Sequence, residues 1–234
     1  MALRQNIVRV VEVGLVAMSV SLLNTNWGSL SLADQAADSV KIEPGFESLF
    51  DGKSFEGWEG NLKIFRIEDG TIIGGTMKEK IPHNEFLCTK REFGDLELRL
   101  QAKLVGEGAT AGVQFRTKRI PNHHEVSGYQ CDMGHMQGRC IWGSLYDESR
   151  RNKFLAHGDK AEVEKVYKPG EWNEFRIRCE GAKTQLWLNG VKTVDFTEDD
   201  DTAVRSGVIA VQIHGGPPSE AFYRHIRIQR LDKK

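Results

Sequence analysis

Cysteine and proline are scarce in this chain, with four Cys and six Pro among 234 residues. Four cysteines, Cys88, Cys131, Cys140 and Cys179, are too few for a domain held together mainly by disulfides. None is spaced as CxxC, so no zinc motif is indicated. A Cys131–Cys140 bridge across a loop and buried free thiols both stay open. Charge of one sign is also lacking: the formal net charge is −1, which excludes nucleic-acid recognition through a basic excess. After the N-terminal segment no apolar run is long enough to span a bilayer, and helix-period patterns are nearly absent.

The N-terminal segment differs from the rest. Arg4 and Arg9 precede the apolar stretch VVEVGLVAMSVSLL and a small-residue site, Ser31-Leu32-Ala33. This is the order of a secretory signal peptide, expected over residues 1–33, with export or a periplasmic location as its consequence. An uncleaved membrane anchor is the alternative, although Glu12 interrupts the run and its length falls short of the roughly 20 residues of a spanning helix. Residues 34–45 are small and polar and end in Pro44-Gly45, as in a linker, so the folded domain is expected over residues 46–232.

Within that domain the patterns are those of strands. DLELRLQAKL alternates Leu96, Leu98 and Leu100 with Glu97, Arg99 and Gln101. EFRIRCEG does the same with Phe175, Ile177 and Cys179. Asn189-Gly190 and Asp69-Gly70 each divide two such runs, where a two-residue hairpin turn needs positive φ. The polar stretch 147–165 has no long apolar stripe and reads as a loop with a helical turn or two. Short strands with glycine-rich turns predict an all-β fold, an antiparallel β-sandwich or jelly roll.

Three strands carry polar residues at i and i+2: Gln114 and Arg116, Gln130 and Asp132, Gln212 and His214. Period-2 spacing puts each pair on one face. Any solvent-facing strand shows such pairs, but Gln, Arg, Asp and His replace the Lys, Glu and Thr of an ordinary wet face. These groups suit sugar hydroxyls, and Tyr129, Trp142 and Tyr146 nearby offer flat surfaces for sugar rings. The expected partner is a carbohydrate bound in a groove; oligomeric state is open.

The segments GFESLFDGKSFEGWEG, FRIEDGTIIGG, EFLCTKREFGDLELRL, AGVQFRT, EVSGYQCDMG, WGSLYDESRR, GEWNEFRIRCEG, LWLNG and VQIHGGPP, in this order from about Phe46 to Leu231, resemble the 3-keto-disaccharide hydrolase family. The resemblance implies a concanavalin A-like sandwich with a sugar-binding concave face. It also implies cleavage of glycosides oxidised at C3, where the ketone acidifies the C2 proton and elimination expels the C1 substituent.

On that reading His214 is the first choice for base or proton shuttle, and Asp132 orients it, acts as base or binds a cation. Arg116 faces the enolate oxygen. Gln114, Gln130 and Gln212 orient hydroxyls, while Tyr129, Trp142, Tyr146 and Glu125 border the substrate. A divalent metal ion held by Asp132, Glu125, His124 and His214 is left open. Two other classes stay in view. A non-catalytic carbohydrate-binding module requires an aromatic platform with Asp132 and His214 apart, and a conventional glycosidase requires two facing carboxyls.

Overall fold

The computed structural model describes residues 42–232; the expected signal peptide and most of the expected linker lie outside the described residues. Two antiparallel sheets, each eight-stranded, pack face to face. The first runs in the order β14 (Val191–Thr197), β13 (Lys183–Leu188), β12 (Asn173–Glu180), β6 (Leu96–Val105), β16 (Ser219–Arg230), β4 (Thr71–Thr76) and β3 (Phe65–Glu68), with β1 (Glu47–Ser48) paired to β16. The second runs β11 (Lys153–Ala156), β10 (Leu145–Glu148), β8 (Val126–Met136), β7 (Thr110–Arg119), β15 (Val208–Ile213), β5 (Glu85–Thr89) and β2 (Trp58–Glu59), with β9 (Arg139–Cys140) paired to β8.

Alternation decides what lies between the sheets. Leu96, Leu98 and Leu100 of β6 meet Phe175 and Ile177 of β12 and Val211 and Ile213 of β15 in one continuous core. Each fully buried aliphatic or aromatic side chain there contributes about 1.5–3 kcal/mol. Both hairpins form where the dipeptides placed them: Asp69 and Gly70 have φ of 46° and 70°, and Asn189 and Gly190 have 48° and 84°. All four cysteines are buried free thiols.

The polar stretch 147–165 holds more strand than its composition shows. It contains the end of β10 and all of β11 before the short helix α1 (Lys160–Val166), which Asp159 caps by accepting from the Glu162 amide. Among the described residues no helix is long and apolar enough to cross a membrane.

Candidate active site

The site lies on the outer face of the second sheet, where register brings four strands into line. Gln130 of β8 stands opposite Tyr146 of β10 on one side and Gln114 of β7 on the other. Asp132 stands opposite Gly112. A cavity of about 380 Å³ opens here, lined by Gln130, Asp132, Tyr146, Glu148, Gln212 and His214. Phe154 of β11 and Met136 and Ile141 of the β8–β9 hairpin form its apolar wall. The Phe154 ring meets Tyr146 edge-on, with centroids 5.0 Å apart.

A chain of amides fixes Asp132. Gln114 Nε2 donates to Gln130 Oε1, and Gln130 Nε2 donates to Asp132 Oδ1, all three side chains being buried. Gly112 leaves the room: a Cβ at this position would come within 2.4 Å of the Gln130 side chain. From the other sheet, the Tyr223 hydroxyl crosses the core to donate to the backbone carbonyl of Gln212 at 2.5 Å and lies 3.3 Å from that of Gly112. The two strands under the cavity are thereby tied to β16.

Asp132 and Glu148 are the acidic groups lining the cavity, and no Lys or Arg lines it. Burial pushes Asp132 well above the usual carboxylate range; the Gln130 hydrogen bond opposes this, and the charge of Glu148 adds to it. Glu148 is pushed up to about 7, by burial first and then by the charge of Glu125. Gln212 Nε2 donates to Glu148 Oε2 at 3.4 Å, while Gln212 Oε1 is buried without a partner and is free to accept from a ligand. Burial, with the charges of Glu148 and Asp132, also raises the Tyr146 phenol, which keeps its proton at neutral pH. The arrangement supplies a carboxyl whose burial favours its protonated form, a second carboxyl that titrates near neutrality, and an aromatic wall.

His214 follows β15 at the exposed rim of the cavity. Its Nδ1 is 2.6 Å from the Gly215 carbonyl, which only accepts, so Nδ1 carries the proton and Nε2 of the neutral ring is the open acceptor. Asn84 secures this corner by accepting from the Gly215 amide at 2.9 Å and donating to Glu125 Oε1 at 3.0 Å. Glu125 therefore stands behind the site and acts on it through its charge.

Three expected site residues lie elsewhere. Arg116 is 2% exposed and bonds to the Gly94 and Gly181 carbonyls at 3.0 and 2.7 Å and to Asp95 at 2.6 Å, away from the cavity. The reason is a register shift in β7 between Phe115 and Lys118, where Arg116 takes φ of 49°; the bulge breaks the period-2 phase that joined it to Gln114. Tyr129 points inward from β8 and donates to Glu198 at 2.5 Å. Trp142 is buried in the core, stacked on Phe175 at 5.6 Å. Neither presents a sugar platform.

Among the described residues no three His, Cys, Asp or Glu side chains converge on a cation site. Asp132, Glu125, His124 and His214 thus do not gather as a divalent-metal ligand set; His124 instead stacks on His83, with ring centroids 4.0 Å apart. Glu148 is the group that strand patterns had missed. Tyr146 and Glu148 form a fourth i, i+2 pair, hidden because Asp147 onward reads as loop.

The comparisons agree with this fold. Residues 45–229 match the 3-keto-alpha-glucoside-1,2-lyase-like domain, and the chain belongs to that family. Membership places it among carbohydrate-active domains, whether hydrolase- and lyase-like or carbohydrate-binding. No curated protein matches the chain significantly. Among solved structures, a candidate glycosyl hydrolase from Parabacteroides distasonis superposes with a TM-score of 0.60 at 20% identity, covering 82% of this chain and 99% of its own. A Bacillus subtilis protein with a galectin-like fold gives 0.58 at 12%, covering 79% and 94%. The B. subtilis carbohydrate-binding module CBM66 gives 0.54 at 11%, covering 73% and 94%. At these identities the likeness establishes the fold, a galectin-like antiparallel sandwich.

Proposed function

We propose that this domain cleaves 3-keto-glycosides by elimination followed by hydration, with Glu148 as the base. The observation that carries the proposal is the pairing in one cavity of Glu148, pushed up to about 7, with Asp132, whose burial favours its protonated form. A base is most effective when it titrates near the working pH. A carboxylic acid kept neutral can donate a hydrogen bond to developing negative charge.

Glu148 removes the proton from C2, and its electron pair moves toward C3 to form an enolate whose oxygen accepts a hydrogen bond from Asp132. Collapse of the enolate breaks the C1–O bond, and the departing oxygen takes the proton that Glu148 removed from C2, which Nε2 of His214 accepts and passes on at the rim. Water then adds across the C1–C2 double bond, its hydroxyl to C1 and its proton to C2, leaving the free 3-keto sugar. Tyr146 and Phe154 flank the sugar ring, and Gln212 Oε1 accepts from one of its hydroxyls. Arg116 has no part, so enolate stabilisation passes from a cation to the buried Asp132 carboxyl.

The same two carboxyls favour a second reading, a conventional glycosidase acting on unoxidised sugar. Turnover of a 3-keto disaccharide beside its parent separates them. Cleavage of the ketone alone, abolished by Glu148→Gln, is expected; cleavage of the parent sugar at a comparable rate would establish the conventional mechanism. Tight binding of either sugar with no cleavage would make the domain a binding module.

A further inference from the structure

The site does not end at its apolar wall. Beyond the β8–β9 turn lies a second depression of about 670 Å³, lined by Met136, Arg139, Ile141, Phe154, His157 and Lys160, with the turn residues. Met136, Ile141 and Phe154 line both depressions, so one ridge divides them. The Phe154 ring lies 5.0 Å from Tyr146 on one side and 4.4 Å from His157 on the other. A ligand laid across the ridge would put one ring system in each.

The two halves differ in charge. The first is lined by Asp132 and Glu148 and by no Lys or Arg, whereas the second is lined by Arg139 and Lys160 and by no carboxyl group. Arg139 is held by donating from Nη2 to the Gly158 carbonyl at 2.6 Å, and its buried Nε has no partner. Among the described residues it forms no ion pair with a carboxylate. Among the described residues Lys160 pairs only with Glu164, at 3.8 Å, with both side chains more than half exposed. Such a pair contributes little and leaves the ammonium free to meet another anion.

We propose that the second depression is the leaving-group subsite and that it selects aglycones bearing a carboxylate. The proposal rests on the keto-glycoside reading above. Elimination releases the aglycone oxygen as an anion awaiting a proton, and no Lys or Arg lines the first cavity to meet negative charge there. Arg139 and Lys160 place compensating charge on the side from which the aglycone leaves, and the faces of Phe154 and His157 receive a flat ring.

The test compares 3-keto-glucosides of 4-hydroxybenzoate and of its methyl ester, which differ in one charge. The acid is expected to show kcat/KM higher by about tenfold at low salt, shrinking as salt rises. Lys160→Gln should bring the ratio toward one by about threefold or more. An acid-to-ester ratio of one in the unaltered protein, or a ratio untouched by Lys160→Gln, overturns the subsite. If neither glycoside is cleaved, the keto-glycoside reading falls and binding of 4-hydroxybenzoate itself decides the subsite. Calorimetric binding weakened by Lys160→Gln retains an anion-selective depression, and absence of binding overturns it.

Discussion

The outer faces of the two sheets treat buried carboxylates in opposite ways. On the first sheet Glu97, 3% exposed, receives hydrogen bonds from Arg99 at 2.6 and 2.8 Å, from Arg176 at 2.9 and 3.0 Å and from Arg178 at 3.3 Å. Burial alone would raise it, but the arginines outweigh burial and hold it below the usual range. On the second sheet Asp132 and Glu148 are also buried and, among the described residues, have only amide partners, so burial prevails and both are raised. The contrast recurs within β10. Asp147 accepts from Arg150 at 2.9 and 3.0 Å and pairs with Arg151, while Glu148, one residue on and facing the other way, pairs with no arginine among the described residues. Burial without a cation is what makes a carboxyl reactive; burial with one makes it structural.

Removing the reactive carboxyl should have the largest effect. Glu148→Gln is expected to lower turnover of a 3-keto-glycoside by about 10²–10⁴-fold. It should also stabilise the fold at pH 8, and the sign follows from linkage. Glu148 titrates near 4.5 in the unfolded chain and at about 7 in the folded one. Between these values the folded protein holds a proton that the unfolded chain has released, so stability falls as pH rises through the window. The penalty is absent below that window and complete above it, at on the order of 3 kcal/mol. Denaturant melts of both proteins at pH 4.5 and 8 should therefore differ most at pH 8. An equal loss of stability at both values would mean that Glu148 is a structural group like Glu97. Turnover of the unaltered enzyme should rise with pH through about 7 as Glu148 loses its proton.

Glu97→Gln inverts the expectation. It should cost about 2–4 kcal/mol in a urea melt, because three arginines lose their common anion, and leave turnover unchanged. Gly112→Ala comes next, at about 1–3 kcal/mol, because the added methyl must displace Gln130. Unlike Glu97→Gln, it should also weaken substrate binding by releasing Asp132 from its amide chain.

The sheet architecture was legible because alternation survives in nearly every strand: Leu96, Leu98 and Leu100 face the core as their spacing requires. The same rule brought Gln130, Asp132, Gln212 and His214 to one face. It failed at Arg116, where a bulge shifts the phase of β7 without a glycine or proline to announce it. It failed again at Glu148, whose strand is only four residues long and runs into a charged turn. Trp142 and Tyr129 were placed by proximity in sequence, which says nothing about which face a side chain takes. Charge partners were the least legible of all, since Glu97 and Asp132 both read as an acid between apolar neighbours. Only the adjacent strand tells them apart.

The smallest expected effect tests how the arginines divide their work around Glu97. Arg178 makes the longest of the three contacts, at 3.3 Å, and also pairs with the exposed Glu180 at 2.8 Å. Arg99 and Arg176 already bond to both Glu97 oxygens between them. Arg178→Gln should therefore cost about 0.5 kcal/mol or less at physiological salt, somewhat more at low salt, and nothing in turnover. A loss near that of Glu97→Gln would mean that the three guanidinium groups act as a unit. The first sheet would then owe its carboxylate to the whole cluster, and adding a single arginine beside Glu148 would not suffice to turn the second sheet into a copy of it.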